Sequence, residues 1–236
     1  TPATRVYVAK TILTMDASQP RANAVAVRKG EIVAVGSRAE VEAQLGKEPF
    51  EVDQRFQDLV LVPGLIEPHL HPSIGAILLP MQFITPHDWE ILGEKMPGVR
   101  GRDAYLSRLH ELEADLSAAS PSTLFGSPKW LDSWGYHHLF HGKITRTDLD
   151  AISTERPILV WHRSFHEIFL NTAALEAVGL REEDVAGHPA INWEEGHFYE
   201  TGLIAIVEKL RPRLSGVRRY LGALAKTRDV IHRGGI

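Results

Sequence analysis

The sequence predicts an α/β fold, with a small β-rich module over residues 1–62 followed by the first βα units of a TIM-like (β/α)8 barrel over residues 63–236. Three observations support this prediction. Short apolar segments alternate with turn residues before Pro63, and strand-like and helix-like patterns alternate after it. In addition, 44% of the 236 residues are apolar, which is enough for a substantial buried core.

The module before Pro63 is predicted to contain several strands and one short helix. Two apolar segments, Ala24–Val27 and Ile32–Val35, flank a turn at Gly30, a residue type that readily takes the positive φ of a tight hairpin. Ser37 and Glu40 have the spacing of a capping box, which predicts a helix that ends before Gly46. Further extended segments are predicted over residues 6–13 and 50–62.

Strands and helices are predicted to alternate from Pro63 onward, as in βα units with a parallel sheet. The predicted strands are residues 59–66, 122–126 and 157–162. The predicted helices are residues 103–116 with Asp103 as N-cap, 149–152 after Thr145, 171–178, 203–210 up to a break at Pro212, and 217–232. A complete (β/α)8 barrel takes roughly 250 residues, and only about 170 follow Pro63. We therefore expect a truncated barrel of about three units, with a smaller open α/β sheet as the alternative.

Composition narrows the function classes. The net charge is −4 with both signs interspersed, so no basic stripe indicates nucleic-acid binding. No apolar stretch approaches the length of a membrane-spanning helix, and the N-terminus lacks the form of a signal peptide. Cysteine is absent, which excludes disulfides and thiolate chemistry. We expect a cytoplasmic protein that binds neither nucleic acid nor membrane.

The most informative residues are His69 and His71, which follow the apolar run Leu59–Ile66. In a strand, residues i and i+2 point to the same side, so the two imidazoles could bind one transition metal ion. Two histidines make only part of a metal site, and further ligands are needed.

The segment from Val62 to His71, Val-Pro-Gly-Leu-Ile-Glu-Pro-His-Leu-His, resembles the Pro-Gly-Phe-Ile-Asp-x-His-x-His signature of the amidohydrolase superfamily, with Glu67 at the usual Asp. Residues 156–166, Arg-Pro-Ile-Leu-Val-Trp-His-Arg-Ser-Phe-His, followed by Asn171-Thr-Ala-Ala-Leu175, resemble the YtcJ-like group, amidohydrolase family 3. That group includes N-substituted formamide deformylases. Thr201-Gly202-Leu203 matches a further motif of this group, Thr-Gly followed by a hydrophobic residue.

The resemblance implies that residues 1–62 are part of a β-sandwich and that a divalent metal, most simply one or two Zn²⁺ ions, is held by His69 and His71. It also implies that the remaining ligands, a carboxylated Lys, two His and a catalytic Asp, lie beyond Ile236. His166 would lie near the substrate carbonyl and donate a hydrogen bond to the developing oxyanion. The substrate would be a small amide-type molecule, and the protein would form a homo-oligomer, most simply a dimer.

Other residues near the predicted strand ends are candidates for substrate contacts. Trp130, Trp134 and Arg163 are predicted to bind substrate at the mouth of the barrel, with structural packing as the alternative. His137, His138 and His141 form a cluster in a glycine-containing segment, for which substrate contact is favoured over metal binding. Asn171 is most simply a helix N-cap.

These observations predict a metal-dependent amidohydrolase that cleaves a C–N bond other than a peptide bond. The main alternative is a catalytically incomplete barrel that binds a ligand or a partner chain without turnover. A second alternative is another metallohydrolase of the same superfamily, such as a deaminase or a cyclic amidase.

Overall fold

The computed structural model describes residues 4–118 and 130–236. The chain divides into two compact units. The first comprises the residues up to Pro68 together with Gly235 and Ile236, and the second runs from His69 to Gly234.

The first unit is built on one four-stranded sheet. Its elements are strands β1 (Thr4–Leu13), β2 (Arg21–Arg28), β3 (Glu31–Gly36) and β4 (Phe50–Leu61) and helix α1 (Arg38–Leu45). The strand order is β3-β2-β1-β4, with β4 parallel to β1 and the other pairs antiparallel. The predicted hairpin is confirmed, because Lys29 and Gly30 both have positive φ and join β2 to β3 in a two-residue turn. The core contains Val6, Ala26 and Val41.

Helix α1 begins as predicted. The Ser37 side chain accepts a hydrogen bond from the Glu40 amide, and the Glu40 carboxylate accepts one from the Ser37 amide at 2.7 Å. Two backbone amides that have no partner inside the helix are thereby hydrogen-bonded, so the capping box is confirmed.

The predicted strand over residues 59–66 is confirmed up to Leu61 and is wrong beyond it. Strand β4 ends at Leu61, and no helix or strand includes residues 62–71. Its partner β1 ends at Leu13, one residue after the Ile12–Leu61 pair, so little of β1 remains to pair with residues beyond Leu61. Pro63 also has no amide hydrogen to donate to a sheet.

The second unit contains eight strands and seven helices in the described residues. The strands are β5 (Gln82–Phe83), β6 (Trp89–Ile91), β7 (Glu94–Met96), β8 (Leu131–Tyr136), β9 (Ile158–His162), β10 (Glu167–Leu170), β11 (Ile191–Asn192) and β12 (His197–Tyr199). The helices are α2 (Pro72–Leu78), α3 (Arg102–Ala118), α4 (His138–His141), α5 (Arg146–Ile152), α6 (Thr172–Ala177), α7 (Thr201–Leu214) and α8 (Val217–Arg233), with a 3₁₀ turn at Glu182–Asp184.

Six of these strands form one mixed sheet in the order β11-β12-β10-β9-β8-β5. Strands β5, β8 and β9 are parallel, while β10, β12 and β11 continue the sheet in antiparallel pairs. The predicted strand 157–162 is confirmed as β9. The predicted strand 122–126 lies outside the described residues. An α/β fold is therefore confirmed, and its assignment to a barrel stays a prediction.

The predicted helices are present, with corrections at their ends. The prediction of Asp103 as an N-cap is wrong, because α3 begins at Arg102 and Asp103 lies in its first turn. Helix α5 has Thr145 as N-cap in a capping box with Asp148. Helix α7 contains Pro212 and ends two residues later.

In the described residues, no helix is both long and apolar enough to cross a lipid bilayer.

Gly202 allows α7 to start close to another part of the chain. A Cβ atom at this position would lie 2.0 Å from the Ala190 carbonyl oxygen, a distance that no real contact allows. We expect Gly202→Ala to lower the free energy of unfolding by about 1–3 kcal/mol, because backbone must move to admit one methyl group. Urea denaturation would measure the change.

Gly222→Ala is the matched control. Gly222 lies in α8, and in the described part of the chain nothing beyond its own stretch of helix backbone lies within 4 Å of a Cβ added there, so alanine should raise stability by up to about 1 kcal/mol. Equal stability of the Gly202→Ala protein and the unmodified protein would show that the close approach to Ala190 is not as described.

Candidate active site

His69 and His71 lie in the segment that leads into α2, and both are exposed. Their Nε2 atoms are 2.8 Å apart, and the two rings meet edge to face with centroids separated by 4.7 Å. His71 directly precedes Pro72, the first residue of α2, where the fixed φ of proline suits a helix start. The i, i+2 spacing therefore brings two imidazole nitrogens to one point although the segment is not a strand.

This donor pair fits a transition metal ion. Imidazole nitrogen suits Zn²⁺, Cu²⁺ and Ni²⁺ rather than Mg²⁺ or Ca²⁺, which prefer oxygen. A catalytic site of this kind normally has three protein ligands and an open position, so the pair would supply part of the coordination shell. The ligand role of His69 and His71 stays a prediction.

His166 lies in the connection between β9 and β10, with its ring exposed. Its Nδ1 is 3.0 Å from the Glu200 carboxylate, and its carbonyl oxygen accepts a hydrogen bond from the Glu200 amide at 2.8 Å. A carboxylate on one ring nitrogen fixes the orientation of the ring and leaves Nε2 to act on a ligand. Glu200 is 34 positions away in sequence, and only its proximity to the Thr201-Gly202 step could have drawn attention to it.

The backbone around this pair is strained. Phe165 has φ of +70° and Glu200 has φ of +46°, values that residues other than glycine rarely adopt. Such conformations cost of order 1–3 kcal/mol each and persist only where the surrounding structure holds them.

Of the other predicted substrate contacts, Arg163 directly follows β9, with its side chain exposed and its amide donating to the Tyr136 carbonyl at 2.9 Å. Trp134 lies inside β8, where it is 7% exposed, and its role in substrate binding stays a prediction. Its ring packs against those of Phe83 and Phe165 at centroid distances of 5.2 and 5.6 Å.

Trp130 lies apart from the other candidates. It precedes β8, with the Arg213 guanidinium 5.6 Å from its ring centroid. The six residues of β8 span roughly 20 Å, so Trp130 is at the opposite strand end from Arg163. The structure therefore brings Arg163 and His166 to one end of the sheet and leaves Trp130 at the other.

His137, His138 and His162 form a group that we call the histidine cluster. One ring nitrogen from each lies within 4.8 Å of the other two. His137 and His138 follow β8, and His162 ends the neighbouring parallel strand β9, where it pairs in register with Tyr136. His162 was not predicted to join this group because it is about 25 positions away in sequence, although it also ends a predicted buried strand.

His141, which the sequence grouped with His137 and His138, has a structural role instead. Its Nδ1 accepts a hydrogen bond from the His137 amide at 3.0 Å, and its Nε2 lies 2.9 Å from the Val99 carbonyl oxygen. Both ring nitrogens are therefore used within the fold, and the residue is fully buried.

Burial favours the neutral form of two of these rings, those of His162 and His137. It lowers the pKa of His162 to about 4, against the opposing effect of the Glu167 carboxylate, and it also lowers the pKa of His137. Neutral imidazole is the form that coordinates metal ions. Among the described residues, His162 Nε2 has no hydrogen-bond partner, although the side chain is almost completely buried.

The sequence of this chain is similar to those of known proteins. The sequence model of the amidohydrolase family matches residues 57–200. Protein LONG AFTER FAR-RED 3 of Arabidopsis thaliana is 28% identical over 181 residues, which are 75% of this chain and 27% of that protein. YtcJ of Bacillus subtilis (strain 168), which carries the name of an amidohydrolase, is 25% identical over 198 residues, 82% of this chain and 33% of that protein. The chain thus spans between about a quarter and a third of the length of these relatives.

Two solved structures share the fold. An uncharacterized metal-dependent hydrolase from Pyrococcus horikoshii OT3 superposes with a TM-score of 0.68 at 15% identity, covering 99% of this chain and 41% of that one. An uncharacterized metal-dependent hydrolase from Pyrococcus furiosus gives a TM-score of 0.66 at 15% identity, covering 99% and 43%. At this identity the likeness concerns the fold alone.

Proposed function

The chain belongs to the amidohydrolase family, and we propose that it supplies part of the active site of a hydrolase that cleaves a C–N bond other than a peptide bond. The observation that carries the proposal is the convergence of the His69 and His71 Nε2 atoms to 2.8 Å. Two imidazoles in this arrangement are suited to hold Zn²⁺ or a similar ion. Such an ion would lower the pKa of a water molecule and polarise a carbonyl group.

The residues of this chain would bind and orient the substrate. In the proposal, His166 donates a hydrogen bond from Nε2 to the substrate carbonyl oxygen, whose negative charge increases as the carbonyl is attacked. Glu200 holds the ring in position through Nδ1. Arg163 provides a positive charge at the same strand end for a polar group of the substrate. The substrate class is a small amide-type molecule, and a homodimer is the expected assembly.

Substitution of the two predicted ligands tests the proposal. In the complete natural protein, we expect His69→Asn and His71→Asn each to lower kcat/KM by at least about 100-fold, since removal even of groups that only support a metal ligand costs 10–100-fold. The measurement is hydrolysis of a panel of N-formyl, N-acyl and cyclic amides after chelation and reloading with Zn²⁺. His110→Asn, at an exposed position of α3, is the matched control.

The outcomes separate the alternatives. Full activity in the His69→Asn and His71→Asn proteins would exclude these residues as ligands. A complete protein that binds Zn²⁺ but hydrolyses none of the amides would favour a ligand-binding or partner-binding module without turnover.

A further inference from the structure

We infer that the histidine cluster, formed by His137, His138 and His162, is a second metal site, selective for Zn²⁺ and similar ions and separate from His69 and His71. A nitrogen from each of the three rings lies within 4.8 Å of the others, so small side-chain rotations would bring all three to one ion. A donor set of imidazoles alone selects borderline transition metals over Mg²⁺ and Ca²⁺. The inference does not depend on the proposed function.

The strongest observation is the unsatisfied nitrogen of His162. The residue is 4% exposed, and its Nε2 atom has no hydrogen-bond partner among the described residues. A buried polar atom without a partner is unfavourable, so a bound group that satisfies it is expected. Nδ1 already lies 2.8 Å from the Ser164 hydroxyl, which can accept its proton. In the tautomer that is protonated at Nδ1, this contact leaves the Nε2 lone pair for an ion and holds the ring in place.

The parallel pairing of β8 and β9 positions the other two ligands. Because Tyr136 is opposite His162 in the sheet register, the residues that follow Tyr136 emerge beside the His162 ring. The His137 and His162 ring centroids are 4.8 Å apart, and those of His137 and His138 are 4.9 Å apart. Since His138 is exposed, one side of the cluster faces solvent. Three imidazoles with an open side have the composition of a catalytic rather than a structural zinc site.

Metal binding would break two hydrogen bonds that the rings of the cluster now accept. The His137 Nδ1 atom accepts a hydrogen bond from the Leu139 amide at 3.2 Å, and the His162 Nδ1 atom accepts one from the Ser164 amide at 3.1 Å. Coordination through Nε2 places a proton on Nδ1 and removes these bonds. Leu139 is 76% exposed and Ser164 is also exposed, so water can replace both partners. The charge of Arg163 opposes a cation nearby, but its exposure allows solvent to screen it.

Metal binding in a background that lacks the first pair tests the inference. Tag-free protein carrying His69→Asn and His71→Asn is stripped with chelator and titrated with Zn²⁺ by calorimetry, with elemental analysis of the dialysed protein. We expect about one bound Zn²⁺ per chain. Adding His138→Asn or His137→Asn should weaken binding at least about tenfold, whereas adding His110→Asn should leave it unchanged.

His138 is the preferred position because an exposed side chain can be replaced without disturbing the core, and circular dichroism checks that the fold is kept. Visible absorption of the Co²⁺-loaded protein gives a second measurement, since the spectrum should change on His138→Asn. Absence of Zn²⁺ binding in the His69→Asn/His71→Asn background would overturn the inference and leave the proposed function standing. Binding that is unaffected by His137→Asn and His138→Asn would overturn it as well.

Discussion

Replacing Asn171 with alanine should lower the free energy of unfolding by about 3–5 kcal/mol, because four backbone groups would each lose a hydrogen bond. The side chain is fully buried. Its Oδ1 accepts hydrogen bonds from the Ile158 and Ala174 amides at 2.8 and 2.9 Å. Its Nδ2 donates to the Ser153 and Arg156 carbonyls at 2.8 and 2.9 Å. Chemical denaturation followed by circular dichroism would measure the change.

Two further variants show which part of the side chain matters. Asn171→Asp keeps the acceptors that cap α6 but removes both donors, so we expect a loss nearly as large as that of alanine. If aspartate restored wild-type stability, capping alone would be the role of this residue. Asn192→Ala is the matched control, because Asn192 is exposed and accepts one hydrogen bond, from the Glu195 amide, so its loss should be at most about 1 kcal/mol.

Asp132 is the second position where one substitution should be strongly destabilising. Its carboxylate lies in β8 at 4% exposure and pairs with Arg213 of α7 and Arg219 of α8, the latter at 2.8 Å. Asp132→Ala would leave two cations without their counter-charge in a largely buried position. We expect a loss of about 3 kcal/mol, at the low end for buried pairs because the two arginine side chains keep 28% and 19% exposure.

The comparison that checks this prediction is Asp115→Ala, which removes an exposed carboxylate from α3 and should change stability by no more than about 0.5 kcal/mol. Both variants would be unfolded in urea under the same conditions. Equal stability of the two variants would mean that the Asp132 ion pairs contribute nothing net. The double variant Asp132→Ala/Arg213→Ala should recover part of the loss, since one unpaired cation is then removed.

The local signals in the sequence were reliable because their interactions span four residues or fewer. The capping box at Ser37, the helix start after Thr145 and the cap at Asn171 were predicted correctly for this reason. Strand β8 was not predicted, because Leu-Asp-Ser-Trp-Gly-Tyr mixes polar and apolar residues. Asp132 can be buried in this strand because two arginines, more than eighty positions away in sequence, compensate its charge. No local sequence pattern reveals that contact.

The same distinction applies to the candidate site. The spacing of His69 and His71 was enough to predict that their rings converge, since both belong to one short segment. The predicted strand before it was extended too far, from Leu61 to residue 66, because an apolar run forms a strand only where a partner strand continues beside it. His162 lies next to His137 because β8 and β9 are neighbouring strands. His166 lies next to Glu200 because the segment that precedes α7 passes beside the β9–β10 connection. These contacts could not be predicted without the fold.

The positive φ values at Phe165 and Glu200 carry a consequence for how this protein could change under selection. Glycine adopts such angles without strain, so glycine at either position should relieve local strain and raise heat resistance. At Glu200 the same change would remove the carboxylate that orients His166. A laboratory selection for thermal tolerance alone would therefore favour glycine at position 200, in a protein that resists heat better and orients this histidine less well. Only a simultaneous screen for turnover would retain the glutamate.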